Sequence, residues 1–357
     1  MNKTVIVAMS GGVDSSVAAL LLKEAGYQVI GVTMQIWPQQ EDQAKACCSL
    51  EAVSDAQRVA WKIGIPHYVM NFRKEFEEKV IREFCDEYLG GRTPNPCISC
   101  NRFIKFDLLL KKAQALRADY IATGHYVRRE FDQASGKYVL KTGLDFTKDQ
   151  SYALYPMTQA QLKHTLFPLG DCRKAEIRVL AKEKGLVVAE KPESQEICFV
   201  EGSYADFVES YRNISASPGD FIDAQGKKIG RHLGIYRYTV GQHKGLGLAL
   251  GHPVYVTAID PSNNTVQVGA KEELYRSTLT AENYSFTSGE LPPSPSRVTA
   301  KIRYNGPKVP AQMYVLDDKK VKVRFDEPVR AITPGQAVVF YREDIVVGGA
   351  TICSSEK

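Results

Sequence analysis

The stretch MSGGVDSS at residues 9–16 decides the fold prediction, because it joins a strand signal to a helix signal. Residues 5–8 form a short apolar run that predicts a strand, while residues 15–25 have helical composition and end at Gly26, a typical helix C-cap. A glycine-rich turn in this context exposes backbone N–H groups at the positive end of the helix dipole. It therefore predicts a phosphate site. The loop contains no lysine, which distinguishes it from a Walker A loop.

Outward from this loop, strand-like and helix-like segments alternate, which is typical of parallel βαβ units. Further strands are predicted at 29–34, 65–70 and 120–123, and helices at 51–63, 73–88 and 105–116. After residue 205 short alternating strands dominate, and five of them follow the Pro/Ser-rich stretch at 291–297. We expect an α/β fold, with a doubly wound parallel sheet (1–204), then a small central β-rich domain (205–278) and a C-terminal β-barrel (279–357).

Composition is that of an ordinary globular protein of two or three domains. Of the 357 residues, 44% are hydrophobic and 24% are charged, and no apolar run reaches the ~18–20 residues that a membrane helix needs. The first residues lead directly into a strand and do not resemble a signal peptide, so we expect a cytoplasmic protein with no membrane partner. The net charge of +5 permits a nucleic-acid partner without demanding one.

Three of the eight cysteines have surroundings that indicate chemistry. Cys97 and Cys100 lie in GRTPNPCISCN at 91–101, and Cys198 lies in ESQEICFV at 193–200. Two prolines predict that residues 93–97 are extended, as in a loop that carries thiols into a cleft. No export signal accompanies the cysteines, which argues against structural disulfides. Buried, unreactive side chains are predicted for the other five, Cys47, Cys48, Cys85, Cys172 and Cys353.

The loop resembles that of the PP-loop ATP pyrophosphatases, which cleave ATP between the α- and β-phosphates and transfer AMP to an oxygen. Over nearly its whole length the chain is similar to the bacterial-type tRNA-specific 2-thiouridylases, the MnmA family. Besides residues 9–16, the resemblance rests on GRTPNPCISCNRFIKF (91–106), DYIATGHYVRR (119–129), KDQSYALY (148–155), ESQEICFV (193–200), residues 230–248 and ITPGQAVVFY (332–341).

The resemblance implies an enzyme that uses ATP and Mg²⁺ to adenylate O2 of the wobble uridine in tRNA. Sulfur then replaces that oxygen to give 2-thiouridine. By resemblance, Cys198 carries the sulfur as a persulfide, and Cys100 is the nucleophile that frees it or forms a disulfide with Cys198. Both roles need thiols that are accessible and can ionise. The matches to ATP contacts are Ala8, Met9, Ser10, Gly11, Gly12, Val13, Asp14, Ser15, Met34 and Gly124.

The same resemblance implies contacts to the anticodon stem-loop of tRNAs such as those for lysine, glutamate and glutamine. Asn95, Pro96 and Cys97 match the segment that faces the target base. The matches to other tRNA contacts are His125, Lys148, Asp149, Gln150, Arg303, Tyr304 and Gln336. A cysteine desulfurase or a sulfur relay protein is implied as the sulfur donor.

A basic stretch in the central region predicts an RNA-binding surface. Lysine and arginine neutralise phosphates, and aromatic rings stack on splayed bases. The residues concerned are Arg231, His232, Arg237, His243, Lys244, Tyr236 and Tyr238. We expect the barrel to grip the body of the tRNA.

Two positions depart from the usual family pattern. Cys97 stands where aspartate is common, so Cys97, Cys100 and Cys198 form a three-cysteine set like those of iron–sulfur-dependent tRNA thiolases. There, three thiolates hold a [4Fe–4S] cluster whose fourth iron is open to sulfide. The cluster mechanism therefore stays open beside the persulfide mechanism. His243 stands where arginine is common.

Two other functions stay open. One is a PP-loop amidating ligase, although no glutaminase segment is recognisable and such a ligase has no use for Cys100 and Cys198. The other is a non-catalytic RNA-binding protein with a structural zinc at Cys97 and Cys100. Zinc would need four ligands, and Cys47 and Cys48 are the candidates for the remaining two.

Overall fold

The computed structural model describes residues 3–36, 50–192, 197–316 and 319–356. The strands are β1 (Thr4–Ala8), β2 (Gln28–Gln35), β3 (His67–Asn71), β4 (Tyr120–Ala122), β5 (Val127–Asp132), β6 (Lys137–Thr142), β7 (Thr165–Leu166), β8 (Gly219–Ile222), β9 (Lys228–His232), β10 (Tyr255–Asp260), β11 (Thr265–Gly269), β12 (Tyr275–Phe286), β13 (Ser296–Lys301), β14 (Val309–Val315), β15 (Lys320–Arg330), β16 (Ala337–Arg342) and β17 (Ile345–Glu356).

The helices are α1 (Val13–Glu24), α2 (Leu50–Ile63), α3 (Arg73–Phe76), α4 (Arg82–Leu89), α5 (Pro96–Ser99), α6 (Leu109–Ala115), α7 (Gln159–Lys163), α8 (Lys174–Glu183) and α9 (Tyr204–Arg212). Two π-helical segments, Glu77–Ile81 and Cys100–Leu108, join α3 to α4 and α5 to α6. Single 3₁₀ turns occupy Ser151–Leu154, Ile235–Arg237 and Lys271–Leu274. No helix in the described ranges is long and apolar enough to cross a membrane.

The N-terminal domain is built on a parallel sheet with the strand order β3-β2-β1-β4-β7, which confirms the predicted fold class. The central strand β1 is the most deeply buried, and Val5, Ile6 and Val7 are fully inaccessible to solvent. The chain runs from β1 outward to β3 on one side and returns to β4 on the other. The strand order therefore reverses between β1 and β4, and ligands bind at such a switch point in open α/β sheets.

The extended conformation predicted for residues 93–97 is wrong at its C-terminal end. A helix begins at Pro96 and continues through the π-helical segment into α6, whereas the sequence predicted a helix only from residue 105. Asn95 is its N-cap, and the Asn95 side chain accepts the N–H of Cys97 at 3.2 Å. Proline fits the first helical position because its missing N–H has no intrahelical partner there. Cys97 and Cys100 therefore lie on one helix, which we call the cysteine helix.

The C-terminal strands form a closed barrel in the order β12-β15-β14-β13-β16-β17, and β12 pairs with β17 to complete it. The five strands predicted after residue 291 are confirmed, whereas β12 was not predicted. The central domain is a separate sheet with the order β10-β11-β8-β9. The domain limits at residues 204 and 278 stay predictions.

The barrel also completes the core of the N-terminal domain. Its residues Val339 and Tyr341 belong to the same apolar cluster as residues of the parallel sheet. The Tyr152 hydroxyl donates to the Ala337 carbonyl at 2.8 Å, and β17 pairs with β6 of the hairpin β5–β6. Deleting the barrel would therefore expose part of this core, so RNA binding by the barrel is best tested with point substitutions in the full chain.

Candidate active site

The predicted phosphate loop lies at the carboxyl end of β1, beside the switch point of the sheet. The Ser15 hydroxyl accepts the N–H of Ser10 at 3.1 Å and ties the two ends of the loop together. Gly11 has a φ of +69°, and a Cβ there would lie 2.3 Å from the Ala52 carbonyl oxygen. Gly12 is the N-cap of α1, and as a glycine it offers no side-chain acceptor to the first N–H groups of the helix. These backbone donors make the loop suitable for anionic phosphate groups.

A lysine reaches this loop from a distant part of the chain. Lys174, the first residue of α8, places Nζ 2.7 Å from both carboxylate oxygens of Asp14. Only 9% of the Lys174 side chain is exposed. The Tyr126 hydroxyl donates to Oδ1 of the same carboxylate at 2.7 Å. Asp14 is thus engaged by two partners, which favours a role in organising the loop over direct binding of Mg²⁺.

The other predicted ATP positions lie at the same edge of the sheet. Ala8 ends β1, Met34 lies near the end of β2, and Gly124 follows β4. A Cβ on Gly124 would lie 2.7 Å from both the carbonyl carbon of Asp14 and the nitrogen of Ser15, so the segment after β4 packs directly on the loop. Contact between these residues and ATP stays a prediction.

His125, predicted to contact tRNA, packs between two aromatic rings instead of projecting freely. Its ring centroid lies 5.8 Å from that of Phe106 and 6.4 Å from that of Phe167. Burial and then the charge of Lys105 hold the pKa of His125 well below its usual value. The ring is therefore neutral at pH 7, so any contact it makes to RNA is a hydrogen bond or a stacking contact rather than an ion pair.

We expect the protein to lose stability as the pH falls below about 6.5, the pKa of histidine in an unfolded chain. Burial lowers the pKa of His67, His125 and His232, so the unfolded chain binds more protons than the folded one in this range. The free energy of unfolding keeps its full value above this unfolded-state pKa. Below it, each of the three histidines lowers the free energy of unfolding by at most about 1.4 kcal/mol per pH unit. Urea unfolding at about pH 7.5 and 5.5 measures the loss, with both values chosen to bracket the unfolded pKa.

A His125→Phe variant should lose less stability between these two pH values than the unchanged protein. His243→Gln is the matched control, because His243 is exposed and should leave the full loss in place. Equal losses in all three proteins would contradict the assignment of the acid sensitivity to His125.

The segment that precedes the cysteine helix is held between the three domains. The Thr93 N–H donates to the Pro334 carbonyl at 2.8 Å, and its hydroxyl donates to Thr239 Oγ1 at 3.2 Å. The Gln336 side chain donates to the Thr93 carbonyl at 2.9 Å. Gln336, predicted as a tRNA contact, thus anchors the cysteine segment to the barrel; contact with tRNA stays a prediction.

The three singled-out cysteines differ in exposure. Cys97 is exposed on the first turn of the cysteine helix, Cys100 is buried, and Cys198 is half-buried. Cys100 and Cys198 pack on the same apolar cluster from two different segments. Within the described ranges, no group of three or more His, Cys, Asp or Glu side chains is placed to hold a metal ion. The iron–sulfur cluster at Cys97, Cys100 and Cys198 stays a prediction.

The remaining cysteines follow the prediction in part. Cys85 is buried, and burial raises the pKa of its thiol to about 11, as expected of an unreactive core residue. Cys172 and Cys353 are only half-buried, and burial raises the pKa of each thiol. Cys47 and Cys48, and with them the proposed zinc ligands, lie outside the described residues.

Three families of domains match the chain in sequence: the tRNA methyl transferase HUP domain at residues 3–202, the tRNA methyl transferase PRC-barrel domain at 205–270 and the Aminomethyltransferase beta-barrel domain at 276–352. Similar proteins named tRNA-specific 2-thiouridylase MnmA span the same length. That of Acetivibrio thermocellus is 55% identical over 98% of this chain and 99% of its own. That of Moorella thermoacetica is 56% identical over 97% of this chain and 98% of its own. The chain belongs to the MnmA family.

In this MnmA-family chain, Asp149 and Gln150, both predicted to contact tRNA, use their side chains for hydrogen bonds within the protein. The Asp149 carboxylate accepts the N–H groups of Gly143 and Ser151, each at 3.1 Å. Gln150 Oε1 accepts the N–H of Tyr126 at 3.0 Å. These bonds fix residues 149–150 next to Tyr126, whose hydroxyl donates to Asp14. Their contact with tRNA stays a prediction.

The RNA-binding surface predicted in the central region is largely wrong. Tyr236, Tyr238 and His232 are buried in the core, so their rings are not available for stacking on bases. The Arg237 guanidinium is paired with the Glu209 carboxylate at 2.5 Å. The pattern misled because aromatic and basic residues alternate here in a short segment whose rings face inward. The residues that stay exposed are Arg231, His243 and Lys244.

Proposed function

We propose that this chain forms 2-thiouridine at the wobble position of tRNA, using ATP to activate the base and a protein persulfide to supply sulfur. The observation that carries the proposal is a lysine-free phosphate loop at the sheet's switch point in a chain 55% identical, over its whole length, to a tRNA-specific 2-thiouridylase. The name of the relatives supplies the base and the product. An amidating ligase would have no role for Cys100 and Cys198, which pack on the same apolar cluster.

The first step activates the uridine oxygen. O2 attacks the α-phosphorus of ATP, the bond to the β-phosphate breaks, pyrophosphate leaves and the N3 proton is lost. In this proposal the N–H groups at the start of α1 and the Lys174 ammonium, which lies at the same loop, offset the negative charge of the phosphates. Bound Mg²⁺ would neutralise further phosphate charge. Asp14, bonded to Lys174 and Tyr126, is not assigned as its ligand.

The second step replaces the activated oxygen with sulfur. The terminal sulfur of a persulfide on Cys198 attacks C2, and the bond from C2 to the oxygen of AMP breaks. The Cys100 thiolate then attacks Sγ of Cys198, so the sulfur–sulfur bond breaks and 2-thiouridine leaves. A Cys100–Cys198 disulfide remains, which a thiol reductant must reduce before the next cycle.

The target base is assigned to the start of the cysteine helix. Asn95, Pro96 and Cys97 form its cap and first turn, and Cys97 is exposed there. Cys100 lies on the next turn of the same helix, so a base held at this end lies close to its sulfur. A flipped anticodon base costs only a few kcal/mol to unstack, because it is unpaired. We extend the proposal to the tRNAs for lysine, glutamate and glutamine as substrates. The sulfur donor in the same proposal is a cysteine desulfurase or a sulfur relay protein.

The decisive experiment measures both products of ATP cleavage and the transfer of labelled sulfur to tRNA. The purified protein is incubated with ATP, tRNA, a cysteine desulfurase and radiolabelled cysteine. We expect AMP and pyrophosphate in equal amounts and label in tRNA only when ATP is present. Unlabelled tRNA whose wobble uridine is already 2-thiolated is the matched control and should accept no sulfur. ADP as the product, or label entering without ATP, would overturn the proposal.

A further inference from the structure

The turn that carries Cys198 places an aromatic residue directly beside the cysteine. The Val200 N–H donates to the Ile197 carbonyl at 3.0 Å, so residues 197–200 form a tight turn. Its two central residues are Cys198 and Phe199. The Cys198 side chain is half-buried, whereas only 4% of Phe199 is exposed. One central residue is thus partly accessible, and the other is inserted into the large apolar cluster of the N-terminal domain.

Three aromatic rings surround the ring of Phe199. Its centroid lies 5.6 Å from that of Phe76, 5.2 Å from that of Phe84 and 5.4 Å from that of Phe207. The first two meet it edge to face, and the third is tilted. Aromatic pairs of this kind are stabilised beyond the area that they bury and favour a defined relative orientation. The site that receives Phe199 therefore has walls from α3, α4 and α9, which fix where the ring lies.

Helix α9, one wall of this site, is itself braced on two sides. The Glu209 carboxylate accepts the Tyr236 hydroxyl at 2.6 Å and pairs with the Arg237 guanidinium at 2.5 Å. Near the start of the helix, the Tyr204 ring stacks on that of Tyr88 in α4, with centroids 4.5 Å apart. The helix cannot move away from the turn without breaking these contacts. The basic and aromatic residues at 236–237 thereby brace the helix that confines the turn.

We propose that Phe199 is a positioning residue for sulfur transfer, which holds Cys198 where its sulfur must attack. The inference rests on the proposed function, because it takes Cys198 as the carrier of the persulfide. Adjacent residues of a tight turn share one short backbone segment, so a ring that is confined by three others also restricts the Cβ of Cys198. Attack needs reacting atoms about 3–3.5 Å apart and aligned, and a misplacement of about 1 Å can cost about 10²-fold in rate.

The test is Phe199→Leu in the full chain, with Phe72→Leu as the matched control. Leucine keeps the site apolar but lacks the ring that meets the three aromatic neighbours, so the turn should loosen while the fold persists. Phe72 is fully buried in the same apolar cluster and carries the same substitution. We expect Phe199→Leu to lower the kcat of sulfur incorporation by roughly tenfold or more. The first tRNA-dependent release of pyrophosphate and the KM for tRNA should be unchanged, and the control should keep all three values.

Two thiol measurements, made without ATP and tRNA, separate positioning from general packing. Alkylation by iodoacetamide is followed at each cysteine by peptide mass spectrometry. In Phe199→Leu it should become faster at Cys198 and stay slow at Cys85, which is buried with a thiol pKa raised to about 11. In a buffer of reduced and oxidised glutathione, the fraction of Cys100–Cys198 disulfide should fall. Oxidised glutathione is the oxidant in every sample, so the fraction reports the geometry of the two thiols.

The outcomes that overturn the positioning role are distinct from those that reject the proposed function. Faster alkylation of Cys198 and Cys85 together would show a general loss of packing and would overturn it. Unchanged sulfur incorporation and disulfide fraction in Phe199→Leu would do the same, as would an equal loss in Phe72→Leu. Absence of sulfur incorporation from the unsubstituted protein would instead reject the proposed function, while the alkylation of Cys198 would still test the turn.

Discussion

A Lys174→Met variant is expected to lose roughly 10²-fold or more in the kcat for pyrophosphate release, the scale seen when one preorganised charge partner is removed. The ammonium holds Asp14 at the start of α1 and places positive charge beside a loop that has no lysine of its own. Without it, an unpaired carboxylate faces the incoming triphosphate and repels it. The KM for ATP should therefore rise as well.

Helices α1 and α8 offer a matched control for this prediction. Their other ends are joined by Lys184 and Glu24, whose charged atoms lie 2.5 Å apart on the surface. Lys184→Met breaks the same kind of bridge between the same helices, far from the loop. We expect it to keep the full kcat and KM. A similar loss in both variants would show that only the packing of the helices matters, and an active Lys174→Met variant would contradict the role of the charge.

A double variant separates repulsion from catalysis. When Asp14→Asn is added to Lys174→Met, the unpaired carboxylate disappears, so the KM for ATP should fall back towards that of the unsubstituted protein. The kcat should stay low, because the positive charge is still missing. Recovery of both constants would show that Lys174 serves only to neutralise Asp14.

The phosphate loop could be predicted from sequence because its determinants are local. Gly11 needs a positive φ and a close approach to the Ala52 carbonyl, and both requirements leave glycine as the residue that fits. Lys174 could not be predicted, since the ion pair joins residues 160 positions apart and no local pattern marks one lysine among many. A pairing of this kind becomes visible only when the fold brings α8 next to α1.

The start of the cysteine helix shows a second reason why a prediction from sequence can fail. Prolines at 94 and 96 predict an extended chain, but Pro96 occupies the first helical position, where proline is favoured. Asn95 immediately before it was the signal that could have corrected the prediction, because asparagine is a preferred N-cap. The strand β12 was missed for another reason. Its polar residues alternate with small ones, and its role becomes clear only when it closes the barrel against β17.

Tyr236 and Tyr238 show how composition alone misassigns a surface. Basic residues around aromatic ones resemble an RNA-binding segment, yet both rings are buried and Arg237 is paired with Glu209. Which face of a short irregular segment points inward depends on packing between distant elements, and periodicity does not report it.

Cys198→Ser and Cys100→Ser are each expected to abolish sulfur incorporation, with a loss of roughly 10³-fold or more, as is usual when a nucleophile is removed. Both variants should still release pyrophosphate when tRNA is present, because activation of O2 precedes sulfur transfer. AMP leaves only when the persulfide on Cys198 attacks C2, so Cys198→Ser should keep AMP bonded to the tRNA. Cys85→Ser is a control for the substitution itself, since Cys85 is a buried thiol of the same core with a pKa raised to about 11.

The Cys97→Ser variant decides between the persulfide and the cluster. Under the persulfide mechanism Cys97 only lines the place of the target base, so we expect sulfur incorporation to fall by less than about tenfold, the effect of a lost contact of roughly 1 kcal/mol. Under a cluster mechanism Cys97 is one of three thiolate ligands, and its loss would be as damaging as that of Cys100 or Cys198. The exposure of Cys97 and the burial of Cys100 on the same helix favour the first outcome.

The assay is run on protein purified without oxygen, with iron and acid-labile sulfide measured in the same samples. Iron at about four atoms per chain, lost together with activity in Cys97→Ser, would replace the persulfide relay with a cluster.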